Sequence, residues 1–180
     1  MSLPGKIRII AGQWRGRKLD VEDAEGLRPT PDRLRETLFN WLQMDIPHAT
    51  CLDCFAGTGA LGFEALSREA KQVVMIDSNP ALIKQLENHA SQLNSQQHDI
   101  ILTDALNWLN HTEESFDIIF LDPPFHQGLL EKSLNIIKDK QLLKIDGKIY
   151  IESEKTFVLP EGWNVLKQKK AGQVNAQLIN

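Results

Sequence analysis

Cysteine is scarce in this 180-residue chain: Cys51 and Cys54 are the two present, too few for a scaffold built on disulfides. Long apolar runs are missing as well. The longest are short, such as Ile118-Ile119-Phe120-Leu121, far below the roughly 18 residues of a membrane span, so no membrane association is expected. Lys6 and Arg8 bring charge to a start that has no apolar stretch of the secretory kind, and a cytoplasmic protein is expected. Histidines 48, 89, 98, 111 and 126 are scattered, with no pair at ligand spacing and no cysteine cluster beside them, so no metal is expected. No internal repeat or Ser/Gly-rich linker interrupts the chain, and its length suits a single α/β domain rather than two. With 42% apolar and 24% charged residues, the composition is that of a globular protein and excludes disorder.

The two cysteines do spell Cys-x-x-Cys, a pattern that redox proteins use. Cys51–Phe55 reads as a strand, however, and positions three apart on a strand point to opposite faces. A disulfide there would require the strand to bend, and redox chemistry is not expected.

Acid is absent from residues 1–18, where Lys6, Arg8, Arg15, Arg17 and Lys18 give +5, while the remaining chain carries −9. A basic arm on an acidic body suits an anionic partner gripped by the arm, and equally a solvated terminal strand. Trp14 lies among the arginines, where an aromatic ring can stack on a base. Arg28, Arg33 and Arg35 follow around the start of a helix. With Arg15, Arg17 and Lys18 they are the candidate phosphate contacts.

Lys6–Ile10 and Arg17–Val21 flank a glycine-containing turn and are expected to form a small hairpin. Thr30-Pro31 then opens a helix with Leu34, Leu38, Trp41 and Leu42 on one face. From about residue 49 short apolar runs alternate with helical patterns, the signature of a mainly parallel sheet wrapped by helices. Strands are expected at Thr50–Phe55, Gln72–Ile76, Asp99–Thr103, Phe116–Leu121 and Lys148–Glu152. Helices are expected at Gly59–Arg68, Pro80–Leu93, Ala105–Asn110 and Gly128–Lys138, the second with Asn79 as N-cap and Pro80 in its first turn. Asn164–Lys169 and Val174–Ile179 read as a closing antiparallel hairpin. The chain thus divides into an N-terminal extension, 1–45, and a main α/β unit, 46–180.

Gly57-Thr58-Gly59-Ala60-Leu61-Gly62 is a G-x-G-x-x-G between a strand and a helix, and Asp77 follows at the end of the next strand. That satisfies a dinucleotide fingerprint, but a tight glycine turn and a ribose-binding acid serve any adenosine cofactor. Asp53, four residues before Gly57, bears on the choice. A carboxylate there would repel a pyrophosphate and attract the ammonium and sulfonium of S-adenosylmethionine. Its alternative task is to cap the backbone N–H groups of the loop.

Asp122-Pro123-Pro124-Phe125 follows the fourth strand of the main unit and falls at the same sheet edge as Gly57 and Asp77. Two prolines remove two N–H donors, so carbonyls and the Asp122 carboxylate form an acceptor surface suited to an exocyclic amine. Phe125 offers a flat face for the ring that bears it. Asp104 ends the third strand and is either an acceptor for the cofactor's adenine or the N-cap of the next helix. Trp108 reads as core or pocket wall.

These residues resemble a known family. Arg8-Ile9-Ile10-Ala11-Gly12-Gln13-Trp14-Arg15-Gly16-Arg17-Lys18-Leu19, Leu27 to Leu42, Leu52 to Gly62, Asp122 to Phe125 and Ala171-Gly172-Gln173-Val174 are similar to the bacterial small-subunit (16S) ribosomal RNA guanine-N2 methyltransferases, within the class I S-adenosylmethionine-dependent enzymes. The resemblance implies a Rossmann-like fold with a seven-stranded, mostly parallel sheet whose last strand is antiparallel. It implies a donor site of Asp53, Phe55, Ala56, Gly57, Thr58, Gly59, Asp77 and Asp104, and a guanine held by Asp122, Pro123, Pro124 and Phe125. Ribosomal RNA or the small subunit is the implied partner, with the 1–45 extension binding RNA; no obligate protein partner is inferred. The acidic balance departs from the usual basic RNA enzyme and puts weight on the arm. Adenine-N6 methylation of DNA or RNA uses the same Asp-Pro-Pro-Phe logic. Protein-glutamine methylation would leave the arginine-rich arm without a task, and a non-enzymatic RNA-binding module would leave both motifs idle.

Overall fold

Unbroken apolar runs such as Val73–Ile76 and Ile118–Leu121 belong to strands covered on both faces, and a parallel sheet sandwiched between helices is the arrangement they form. The computed structural model describes residues 5–21 and 31–180. β1 (Gly5–Arg8) and β2 (Lys18–Val21) make a two-stranded antiparallel ribbon, and α1 (Asp32–Trp41) follows it. The main unit then runs β3 (Thr50–Asp53), α2 (Ala60–Ser67), β4 (Gln72–Asp77), α3 (Pro80–Leu93), β5 (His98–Leu102), α4 (Ala105–His111), β6 (Phe116–Leu121), α5 (Leu129–Asp139), β7 (Leu143–Glu154), β8 (Val165–Ala171) and β9 (Val174–Ile179). Its seven strands lie in the order β5-β4-β3-β6-β7-β9-β8. β9 runs antiparallel to both β7 and β8 and is inserted between them, so the last strand is the antiparallel one expected.

The elements match the sequence reading, with shifts of a few residues at their ends. The exception is β7, which starts at Leu143 rather than Lys148. Lys144, Asp146 and Gly147 break the apolar pattern there, yet Lys144 donates to Asp117 at 2.9 Å and to Thr50 at 2.7 Å, tying the early part of the strand to β6 and β3. α3 begins as expected, with the Asn79 side chain accepting from the Ala81 N–H.

Alternate residues of the central strands feed two cores. Cys51, Val73, Met75, Ile118, Phe120 and Tyr150 face α1, α2 and α3; Leu52, Val74, Ile76, Ile119, Leu121 and Ile151 face α4 and α5. Cys51 and Cys54 belong to different cores, both buried with free thiols, as their spacing on a strand required. The ribbon and α1 have no core of their own. Ile7, Ile9, Leu19 and Val21 with Leu34, Leu38 and Phe39 join the first of these two cores. Among the described residues, no helix is long and apolar enough to cross a membrane.

Candidate active site

β3 is flanked by β4 on one side and β6 on the other, and the chain reaches β6 only after building β4 and β5. Where strand order reverses in this way, the loops after the two central strands diverge and leave a crevice beyond their carboxyl ends. A cleft of about 770 Å³ opens there. It brings together Asp53, Phe55, Ala56, Gly57, Thr58, Asp77 and Asp104 with Asp122, Pro123, Pro124 and Phe125.

Gly59 does not line the cleft. It precedes α2 at φ +80°, and a Cβ there would lie 2.5 Å from Leu86 Cδ2 and 2.6 Å from Phe63 Cε2. Its task is the close approach of the turn to α2 and α3, which no other residue permits.

Asp77 gathers the loop: Oδ2 accepts from the Gly57 N–H at 2.9 Å and Oδ1 from the Asn79 N–H at 2.8 Å. Each carboxylate oxygen retains capacity for a further donor such as a ribose hydroxyl. Asp53, buried at 2% exposure, accepts from the Gly62 N–H at 3.1 Å while lining the cleft. Burial pushes its carboxyl up to about 7, Asp77 adds to the rise, and the Gly62 N–H opposes it. Asp104 accepts from the Asn107 N–H at 2.8 Å and so caps α4, yet it too lines the cleft. Neither Asp53 nor Asp104 has to abandon its backbone partner to meet a ligand.

Five carboxylates line this cleft (Asp53, Asp77, Asp104, Asp122 and Glu152), and among the described residues no lysine, arginine or histidine does. Such a site disfavours pyrophosphate and favours a cation. Glu152 escaped the sequence reading although it carries the same signal as Asp53 and Asp77, an acid at the end of an apolar strand. Pro31 and Leu34 from the start of α1, and Ala171 and Val174 from the β8–β9 turn, complete the wall beside Phe125. Pairing between distant elements places those four, and local pattern does not reveal it. Trp108 packs on the second core, 6.2 Å from Phe116, and is core rather than pocket wall. No cluster of metal-ligating side chains occurs among the described residues.

The candidate phosphate contacts divide. Arg15, Arg17, Lys18 and Arg33 are exposed, Arg17 with its Nη2 donating to the Gln92 carbonyl at 2.9 Å. Arg28 lies outside the described residues. Arg35 is a correction: it is 1% exposed, and its Nη2 donates to the Arg8 carbonyl at 2.8 Å and to Asp32 at 2.7 Å. An arginine enclosed in that way clamps the ribbon to α1 and has no surface for a phosphate. Trp14 is half-buried against the first core, with its backbone N–H on Ser67 Oγ.

The model of the family described as "Conserved hypothetical protein 95" matches residues 7–180. The chain is 46% identical over 180 residues to the ribosomal RNA small subunit methyltransferase D of Haemophilus influenzae, covering 97% of this chain and 93% of that one. A solved putative methyltransferase from Escherichia coli superposes with a TM-score of 0.89 at 46% identity, with 97% of each chain covered. A putative S-adenosylmethionine-dependent methyltransferase from Streptococcus mutans shares the fold alone, at 14% identity and a TM-score of 0.71, over 99% of this chain and 56% of that one.

Proposed function

The chain belongs to the family of the ribosomal RNA small subunit methyltransferase D proteins, and from that premise we propose that it methylates the exocyclic N2 amine of a guanine in small-subunit (16S) ribosomal RNA, with S-adenosylmethionine as donor. One observation carries the reading: a cleft at the strand-order reversal whose ionisable lining, among the described residues, is acidic and which ends at Asp122-Pro123-Pro124-Phe125. A dinucleotide would bring a pyrophosphate among five carboxylates, whereas a sulfonium brings a positive charge. The volume is in the range of ordinary cofactor sites. The residues present therefore fit the donor, with Asp77 for its ribose hydroxyls, Asp104 for its adenine amine and the Asp53-to-Thr58 loop alongside. When bound, S-adenosylmethionine supplies an electrophilic methyl group.

The chain's own residues prepare the amine. The N2 lone pair of guanine is delocalised into the ring and is a poor nucleophile. The Asp122 carboxylate and the Pro123 carbonyl accept from the amino hydrogens and hold the nitrogen in one orientation, and the two prolines keep that surface free of competing donors. Phe125 stacks on a base that has left its helix, a contact worth roughly 1–3 kcal/mol. Orientation of this kind can supply up to ~7–11 kcal/mol of a barrier. Residues 1–45 serve as the RNA-binding extension through Arg15, Arg17, Lys18 and Arg33, and 46–180 as the catalytic unit.

The test is transfer of a tritiated methyl group to ribosomal RNA, small subunits, DNA and protein, followed by nucleoside analysis. Label in N2-methylguanosine from ribosomal RNA or the small subunit is expected. Label in N6-methyladenosine or in protein would replace this reading with one of its rivals.

A further inference from the structure

Glu152 stands beside Asp122 by register. Phe120 of β6 pairs with Tyr150 of β7 and Leu121 with Ile151, so the next step sets Asp122 level with Glu152 on the neighbouring strand, about 4.8 Å away in the backbone. Phe120 and Tyr150 face the same core, and side chains two further along return to that face, so both carboxylates enter the cleft on one side.

Glu152 is 4% exposed, and its Oε1 accepts from the hydroxyl of Tyr150 at 2.8 Å. Tyr150 is fully buried, and burial together with the Glu152 charge holds its hydroxyl well above the usual tyrosine range, in the donating form. The carboxylate is thereby fixed in place. A carboxylate has room for about four hydrogen bonds, so partners within the fold and a base edge can share it. Leu34, Ala171 and Val174 line the same cleft, and a mismatched polar contact with a buried carboxylate costs more than it would in water.

The Watson–Crick edge of guanine carries an N1–H next to the N2 amine. Adenine carries an unprotonated, accepting nitrogen in the N1 position. An ionised carboxylate distinguishes the two, because it can accept and cannot donate.

We propose that Glu152 accepts the N1–H of the target guanine while Asp122 accepts from its N2 amine, which makes Glu152 the residue that selects guanine over adenine. The inference rests on the reading of the chain as a guanine-N2 methyltransferase. Tyr150 is then a positioning residue that acts through Glu152.

2-Aminopurine tests this directly, because it keeps the amine at C2 and lacks the N1–H. The RNA labelled in the methyl-transfer assay is prepared with guanine or 2-aminopurine at the methylated position. The wild-type enzyme is expected to prefer guanine by about 10- to 100-fold in kcat/KM, the scale of one lost base-edge contact. Glu152→Gln, whose amide donates as well as accepts, should bring the two substrates to within a few-fold of each other. Tyr150→Phe should narrow the ratio part of the way, through KM. Tyr150→Phe should bind S-adenosylmethionine in calorimetry as the wild type does, and circular dichroism reports whether each variant folds; if Glu152→Gln does not fold, Tyr150→Phe decides. A guanine preference unchanged in the variants overturns the role of Glu152. A wild-type protein that labels no RNA guanine overturns instead the reading on which it rests.

Discussion

In the proposed mechanism Asp122 orients the amine, and Asp122→Ala removes that charged acceptor. Methyl transfer should fall by roughly 100-fold or more, read by single-turnover labelling, while calorimetry should show donor binding close to wild type. Phe125→Ala, which loses stacking alone, should cost about 10-fold. Normal turnover in Asp122→Ala would remove the loop from the mechanism. Asp53 makes a different prediction, about stability. Its carboxyl lies at about 7 in the folded chain against 3.8 ordinarily, a rise caused by burial. Between those two values the folded state holds a proton that the unfolded state has released, so stability falls as pH rises across that window. The slope for one group is at most about 1.4 kcal/mol per pH unit, and it levels off above pH ~7. Asp53→Asn keeps an oxygen for the Gly62 N–H and removes the titration, so its denaturation midpoints between pH ~4.5 and ~7 should fall less steeply. Parallel curves for the two proteins would mean that Asp53 is already ionised in the fold.

The N-terminal ribbon is joined to α2 by two buried side chains, Glu64 and Ser67. Glu64, at 0% exposure, accepts from the Ile10 N–H at 2.8 Å, the Ala11 N–H at 3.0 Å and Arg68 Nε at 2.8 Å. Glu64→Ala leaves two backbone donors and a guanidinium without their acceptor, at about 1–3 kcal/mol for each unsatisfied group. Amide exchange at Ile10 and Ala11 should accelerate and the thermal midpoint should drop, with donor binding preserved because Glu64 does not line the cleft. Unchanged protection at both amides would show that Gln13 and Trp14, bonded to Ser67, hold the ribbon unaided. Nothing in the sequence announces this tether. Glu64 sits in a mostly apolar helix, and its backbone partners Ile10 and Ala11 lie more than fifty positions earlier. Elements and their order were legible because apolar runs, Asn79-Pro80 and the glycine turn are local signals. The burial of Arg35 was not, since Arg33 and Arg35 read alike and only the packed face of α1, Leu34, Arg35, Leu38 and Phe39, separates them. That face also shows that the sequence reading set the apolar stripe slightly off, toward Trp41. In the site, acids at strand ends were legible, and the walls contributed by α1 and the β8–β9 turn were not, because tertiary pairing alone brings them there.

Across the whole molecule the charges are segregated by task. Among the described residues the charged lining of the cleft is acidic, which favours presenting a base to it over laying a polyanion's backbone there. On the proposed reading phosphates are met elsewhere, by the exposed cations of the ribbon and of the start of α1, on the layer that includes Pro31 and Leu34 of the cleft wall. Deleting residues 1–18 would not test this cleanly, because Ile7 and Ile9 belong to the core and the segment anchors on Glu64 and Ser67. Neutralising Arg15, Arg17, Lys18 and Arg33 together to glutamine keeps that packing, since all four side chains are exposed. For single-stranded RNA each phosphate contact contributes about −0.7 to the slope of log affinity against log salt. If all four engage phosphates, the quadruple variant should bind RNA with a slope flatter by about 2.8, measured by filter binding over a salt series. Methylation should fall through KM and recover as salt is lowered, because phosphate contacts set position and not base identity. Donor affinity should stay put, as none of the four lines the cleft. An unchanged slope would move the RNA surface to the exposed edge strand β8, which carries Lys167, Lys169 and Lys170 next to Ala171 and meets α1 where Lys169 donates to Thr37 at 2.7 Å.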